Sequence, residues 1–286
     1  MNKLLHAEFS RLFHSVLFWL CIAASNLLGI GLVGLRYVDI IYHPELYKYV
    51  PISYTSVDDL LFVSGLYLIF AFATFIGIFQ GTEYSDGTLR NKIIMGHKRS
   101  HILLSKWIVC CTACSLYHLI YIFRVLLSGF FLLNGTTLGI KLILTQTLIT
   151  LCAVLAFTTI LLLCTMIAQN KAIGAVTCLL ITVLMLYFAL RIDQKLRAPE
   201  YYEAYTFVDE ESGDAIYVPR EKNPKYLTGT KRQIYSVLND VLPVSQLYRV
   251  AIADSTVTPV LMLYDGITVF LVAGFCIILF LRKDLK

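Results

Sequence analysis

The sequence predicts an all-α integral membrane protein with six transmembrane helices, a short cytosolic helix between the second and third, and a small extracellular α+β insertion before the sixth. Three observations predict it. Hydrophobic residues make up 58% and charged residues 15% of the 286 positions, against about 45–50% and about 25% in ordinary soluble domains. The mean hydropathy of +0.72 excludes disorder, because a chain so apolar and so weakly charged has to bury itself. Apolar runs near the length demanded by about 30 Å of hydrocarbon, about 20 residues at about 1.5 Å each, recur along the chain.

The runs cover residues 15–35, 60–80, 103–123 with an apolar continuation to 133, 142–168, 172–190 and 260–281. The first is too long, and lacks the small-residue cleavage site, for a removable signal peptide, so it reads as a retained span. An even number of spans puts both termini on one side. Lys3, Arg11, Arg90, Lys92, Lys98, Arg99, Lys106, Lys171, Arg282, Lys283 and Lys286 all fall on that side, which the positive-inside rule makes cytoplasmic. The short opposite loops hold Arg36, Lys48 and Lys141, and the long loop mixes nine basic with ten acidic residues. Long loops translocate regardless of charge.

The chain therefore divides into residues 1–190 with five helices and a cytosolic segment at 83–100, an extracellular region at 191–258, and a sixth helix with a cytosolic tail at 259–286. The formal charge of +5 sits where it meets anionic headgroups rather than in a basic groove, so nucleic acid is not an expected partner. All eight cysteines lie inside apolar runs and read as small hydrophobes, not as a disulfide framework or metal site.

In the long loop, Tyr205-Thr206-Phe207-Val208 and Ile216-Tyr217-Val218 flank the turn segment Ser212-Gly213-Asp214 and predict a hairpin. Ile234, Val237, Leu238 and Val241 recur at three- and four-residue spacing, the mark of one apolar helix face. Pro243 is placed to end or kink that helix, which should lie on the outer membrane surface or cap the bundle.

The most informative stretch is 83–96, EYSDGTLRNKIIMG. Asp86 or Thr88 is placed to cap a helix, Leu89, Ile93 and Ile94 form its apolar stripe, Arg90 and Lys92 face elsewhere, and Gly96 is placed to stop it. So short a helix cannot stand alone in water. A partner surface has to support it, or the membrane interface as a lipid-lying connector.

With EYSDGTLRNKI, the following HKRSHILLSK, the pre-terminal VLNDVLPVSQLYRV and the ending LRKDL, the chain resembles a permease subunit of the type-2 ATP-binding-cassette exporters. The resemblance implies a coupling helix that docks on cytosolic ABC ATPase subunits, and a second permease copy or a related permease as partner. It implies ATPase-docking roles for Glu83, Tyr84, Asp86, Thr88, Arg90, Asn91, Lys92 and Arg99. The sequence contains no G-x-x-x-x-G-K-[ST] phosphate loop, so this chain carries no cofactor of its own; ATP and magnesium belong to the partner subunit.

His118, Thr145, Gln146 and Thr150 are candidates for lining a pathway, the alternatives being helix packing for His118 and bonds to the helix backbone for the threonines. No metal site is expected: His118 stands alone in its run, and His97 and His101 have no carboxylate between them. Asp265 and Arg124 are expected near the outer interface, snorkelling to water. The expected function is the transport subunit of an ATP-driven exporter of a peptide or other amphipathic compound, not itself an enzyme. The alternative is a membrane sensor or structural protein with a ligand-binding extracellular loop.

Overall fold

The computed structural model describes residues 1–208 and 215–282. The chain opens with helix α1 (Asn2–Phe13), followed by α2 (Val16–Tyr42), a single turn α3 (Pro44–Tyr47), α4 (Ser64–Ser85), α5 (Thr88–Ile94), α6 (Arg99–Leu132), α7 (Ile140–Ala168) and α8 (Lys171–Arg197). Strands β1 (Tyr201–Tyr202), β2 (Tyr205–Val208), β3 (Ala215–Val218) and β4 (Glu221–Lys222) come next, then α9 (Gly229–Val241), α10 (Pro243–Ala251) and α11 (Leu261–Arg282). Among the described residues, α2, α4, α6, α7, α8 and α11 are long and apolar enough to cross a membrane. Each overlaps one predicted run.

Helix α1 was not anticipated as an element of its own. Leu4, Glu8 and Leu12 recur every four residues and are buried, so one stripe of the helix packs inward. Ser15, extended at φ −79° and ψ 120°, separates α1 from α2.

Helices α4, α6 and α7 form the buried centre, and α2, α8 and α11 present most of their apolar surface outward. Tyr117 of α6 anchors the centre, its ring 5.7 Å from Phe18, 6.4 Å from Phe72 and 5.4 Å from Phe75. Helices α4 and α8 cross at backbone contact. A Cβ on Gly77 would lie 2.6 Å from Ala175 Cα, and one on Gly81 2.7 Å from Lys171 Cα. The crossing fixes the start of α8 beside the end of α4: the Lys171 amide donates to Ser85 Oγ at 2.9 Å. Asn170 caps α8 by accepting from the Ala172 and Ile173 amides, which satisfies two of the donors a helix start leaves open.

At the end of the bundle opposite α5, two loops are zipped together. Asp58 accepts from the Thr136 hydroxyl at 2.6 Å, from the Thr137 amide at 3.0 Å and from the Thr137 hydroxyl. Burial works to raise the Asp58 pKa, and the hydrogen bonds from Thr136, Thr137 and Ser56 outweigh it and hold the carboxyl below its ordinary value of 3.8. A depressed folded pKa stabilises above the unfolded value, and the contribution is lost as pH falls through the folded one. The thermal midpoint of the parent protein should therefore exceed that of Asp58→Asn at pH 7, and the gap should close as the pH drops below 3.8; a gap independent of pH would refute this.

The predicted hairpin is present as β2–β3, antiparallel, with Tyr205 opposite Val218 and Val208 opposite Ala215. β1 and β4 pair below it, Tyr201 opposite Lys222. The Ser212-Gly213-Asp214 turn and the tail residues Lys283 and Lys286 lie outside the described residues. The predicted amphipathic helix is α9, with Ile234, Val237, Leu238 and Val241 exposed and the rest of the helix set against α8, α10 and α11. Pro243 ends α9 and begins α10 at its first turn, where a missing amide costs nothing.

Helix α10 does not stay at the surface. Val244, Leu247 and Val250 are buried against α4, α7 and α8, with Leu247 seated directly on Gly65. The expectation that Asp265 snorkels is overturned: it is 1% exposed, beside the Gln246 amide of α10. Helix α11 packs against α7, α6 and α9, and Gln246 brings α10 to the Asp265 carboxyl.

Candidate functional site

Helix α5 joins α4 to α6 at one end of the bundle. Neither Asp86 nor Thr88 caps it, contrary to expectation; Gly87 occupies that position at φ +66°. The left-handed backbone points the chain away from α4 before a side-chain cap can form, and the Thr88 hydroxyl turns back to the Glu83 carbonyl. The other end follows expectation. Gly96, at φ +83°, lets its own amide reach the Ile93 carbonyl at 2.9 Å and that of His97 reach Lys92 at 3.3 Å, a paired closure that only a left-handed residue allows at low cost.

Leu89 fastens α5 to the bundle. It is 3% exposed and shares a cluster with Leu4 of α1, Ile102 of α6, Met166 of α7 and Cys276 and Phe280 of α11. The cluster that receives Leu89 is built from four other helices, so withdrawing α5 from the bundle would take Leu89 out of it.

Beside the knob lies a buried ion cluster. Glu83 pairs with Arg11 of α1 at 2.8 Å, with Lys92 of α5 and with Lys106 of α6. Glu8 of α1 pairs with Arg11 at 2.9 Å and with Lys92. Lys106 also donates to Gln80 Oε1 at 3.2 Å, and its ammonium lies 5.0 Å from the Tyr84 ring centre. The Arg11 guanidinium stacks 3.9 Å over Phe79. Glu8, Glu83 and Lys106 are each 3% exposed or less. Two carboxylates face three cations, and the surplus charge falls to the partly exposed Arg11 and Lys92, where water screens it.

The predicted docking residues therefore separate into two groups. Asp86, Thr88, Arg90 and Asn91 are exposed. Glu83 and Lys92 are spent inside the cluster, Tyr84 lies against Lys106, and Arg99 donates to the Phe280 carbonyl of α11 at 3.0 Å. Ile94, expected in the apolar stripe with Leu89 and Ile93, is instead 72% exposed at the tip of α5, beside Met95 at 68%, which sequence reasoning missed. The same reasoning missed Glu8, Arg11 and Lys106 as cluster members. The signal for Glu8 was available, since it lies midway between Leu4 and Leu12 in the stripe of α1.

A family model described as an ABC-2 family transporter protein matches residues 4–189. The chain belongs to that family. It is thus an ABC-2 type permease subunit, a multi-pass membrane protein whose family works with an ABC ATPase. No curated protein matches the permease. The matched region holds most of α1, the cluster and α5.

The candidate pathway residues of the permease do not converge. His118 and Thr150 are fully buried and bonded to each other at 2.8 Å, His118 also to Ser64 at 3.1 Å, a polar link from α4 through α6 to α7. Gln146 borders a cavity at the opposite end of the bundle. Thr145 donates to the Lys141 carbonyl of its own helix.

Proposed function

We propose that this permease exports a peptide or other amphipathic compound across the cytoplasmic membrane, with α5 as the coupling helix on the cytosolic side and both termini on that side. ATP and magnesium are bound by the ATPase subunits, which close on nucleotide and press on α5. A pair of permeases, two copies or two related chains, completes the pathway, which alternates its exposure. Nucleotide can shift that equilibrium only by its differential affinity for the two arrangements, which calls for a few kcal/mol.

The observation that carries this reading is the division of labour on α5. Its inner face is locked to the bundle by Leu89 and Lys92, and its outer face offers Arg90, Asn91, Ile94 and Met95. A lipid-lying connector has no need of a buried charged lock; a lever does. Methionine and arginine are among the side chains enriched at protein interfaces.

The test is Arg90→Glu and Ile94→Asp in the permease reconstituted with its ATPase. Each should weaken docking by about 1–3 kcal/mol and lower cargo-stimulated ATP hydrolysis at least about fivefold, with the thermal midpoint of the permease alone unchanged. Unaltered hydrolysis and co-purification in both variants would rule out the docking face.

A further inference from the structure

Helices α8, α9, α10 and α11 enclose a cavity of about 580 Å³ at the end of the bundle away from α5. Helix α8 starts beside Ser85 and runs 27 residues, a rise of about 40 Å, before Arg197 reaches the cavity wall. Helix α9 works with both faces: Ile234, Val237, Leu238 and Val241 point out, while Arg232, Ser236, Asn239 and Asp240, at the complementary helical positions, line the cavity. Val260, Leu261 and Tyr264 supply an apolar side.

Three arginines line the space, and their carboxylates are unevenly shared. Arg197 binds Asp193 through Nε at 2.8 Å and Asp254 through Nη2 at 2.6 Å. Arg249, 4% exposed, binds Asp240 at 2.6 Å and donates to the Thr256 carbonyl and hydroxyl. Arg232 has no carboxylate partner among the described residues. Its Nη2 donates to the Leu196 carbonyl at 3.1 Å, its guanidinium lies 5.1 Å from the Tyr226 ring centre, and its Nη1 is shut off from solvent with no hydrogen-bond acceptor.

A buried guanidinium N–H without an acceptor is costly, and arginine's planar fork matches carboxylate and phosphate oxygens. Asp193, Asp240 and Asp254 match the three arginines in number, but each is bonded to Arg197 or Arg249, so Arg232 is the arginine left without a carboxylate in contact among the described residues. We propose that this cavity is a binding site for an oxyanion group, carboxylate or phosphate, carried on an amphipathic molecule, with Arg232 as its anchor and Leu261 and Tyr264 against its apolar part. The site is separate from α5 and from the ion cluster, and its occupation does not depend on the direction of transport.

The test uses the full-length protein in nanodiscs with Ser236→Cys, a thiol introduced at the exposed cavity rim. The eight native cysteines are buried or half-buried. Modification rates are compared for a sulfonate-bearing and a trimethylammonium-bearing methanethiosulfonate, each normalised to a free thiol. The sulfonate reagent should be favoured at least about tenfold, since a nearby unpaired cation acts strongly at short range. Arg232→Gln should abolish the preference and Arg232→Lys should keep most of it.

Millimolar inorganic phosphate or acetate should slow the sulfonate reagent if the site takes soluble acids. Replacing phosphatidylcholine by phosphatidylglycerol in the disc should slow it without added anion if the group comes from a lipid. Either protection, lost in Arg232→Gln, supports the site. Equal rates for the two reagents, a preference untouched by Arg232→Gln, or no protection in any arm would overturn it.

Discussion

Replacing Glu83 by Gln should destabilise the permease by about 3–5 kcal/mol, the usual consequence of removing one partner from a buried charge pair. Glu83 is the carboxylate shared by Arg11, Lys92 and Lys106. Without it Glu8 alone faces three cations. Arg11 and Lys92 keep Glu8 and reach solvent at 29% and 15% exposure, but Lys106 at 3% is left with the Gln80 carbonyl oxygen and the Tyr84 ring. A buried ammonium with no counter-charge is the dominant cost.

That reasoning fixes the rescue as well as the damage. Lys106→Met in the Glu83→Gln background removes the stranded charge and keeps much of the volume, so it should recover most of the lost stability, as apolar replacement of a whole buried ionic group often does. Thermal unfolding of the purified permease in detergent or nanodiscs measures both. A Glu83→Gln midpoint equal to the parent's, or a double variant no better than the single one, would show that the cluster does not hold α1, α4, α5 and α6 together.

The contrast between Glu83 and Leu89 explains how much of the site was legible. Helix α5, its terminating glycine and its exposed Arg90 and Asn91 follow from local rules, since caps, periodicity and length are written within a few residues. Glu83 was expected to face an ATPase and instead lies among residues 11, 92 and 106, because no local pattern says that an N-terminal helix folds back beneath α4. Arg11 and Lys106 counted only as positive flanking charge, and that statistic is indifferent to whether a cation faces headgroups or a buried carboxylate.

The six spans were legible because hydrocarbon thickness fixes their length; the inward course of α10 was not. Its nine residues are too few to register as a span, and they include the polar Ser245, Gln246 and Arg249. They are buried because they bond to α9 and the loop after α10: Ser245 to Asn239, Gln246 to the Asp240 carbonyl, and Arg249 to Asp240 and Thr256. Asp265 was misplaced for a related reason, since its neighbour Gln246 comes from an element that sequence left outside the membrane.

The second large effect is expected at the α4–α8 crossing. Lipid tails are as apolar as leucine, so helices in a bilayer gain little from hiding apolar surface from one another and depend on close packing, for which a four-residue pair of small residues clears the way. Gly77 and Gly81 form such a pair in α4, and the atoms in their way are Ala175 Cα and Lys171 Cα. Backbone cannot rotate aside as a side-chain tip can. Gly77→Ala and Gly81→Ala should each cost about 1–3 kcal/mol through overpacking, and Gly77→Leu should separate the helices outright. Gly31→Ala and Gly34→Ala in α2, where nothing lies within 4 Å of the added carbon, are the matched controls and should leave the thermal midpoint unchanged. Because Gly81 lies two residues before Glu83, the damage should reach the ion cluster: Gly81→Ala and Glu83→Gln, sharing a local structure, should combine to less than the sum of their separate effects. Full additivity would mean that the crossing and the cluster are independent, and that α8 has no part in holding the lever.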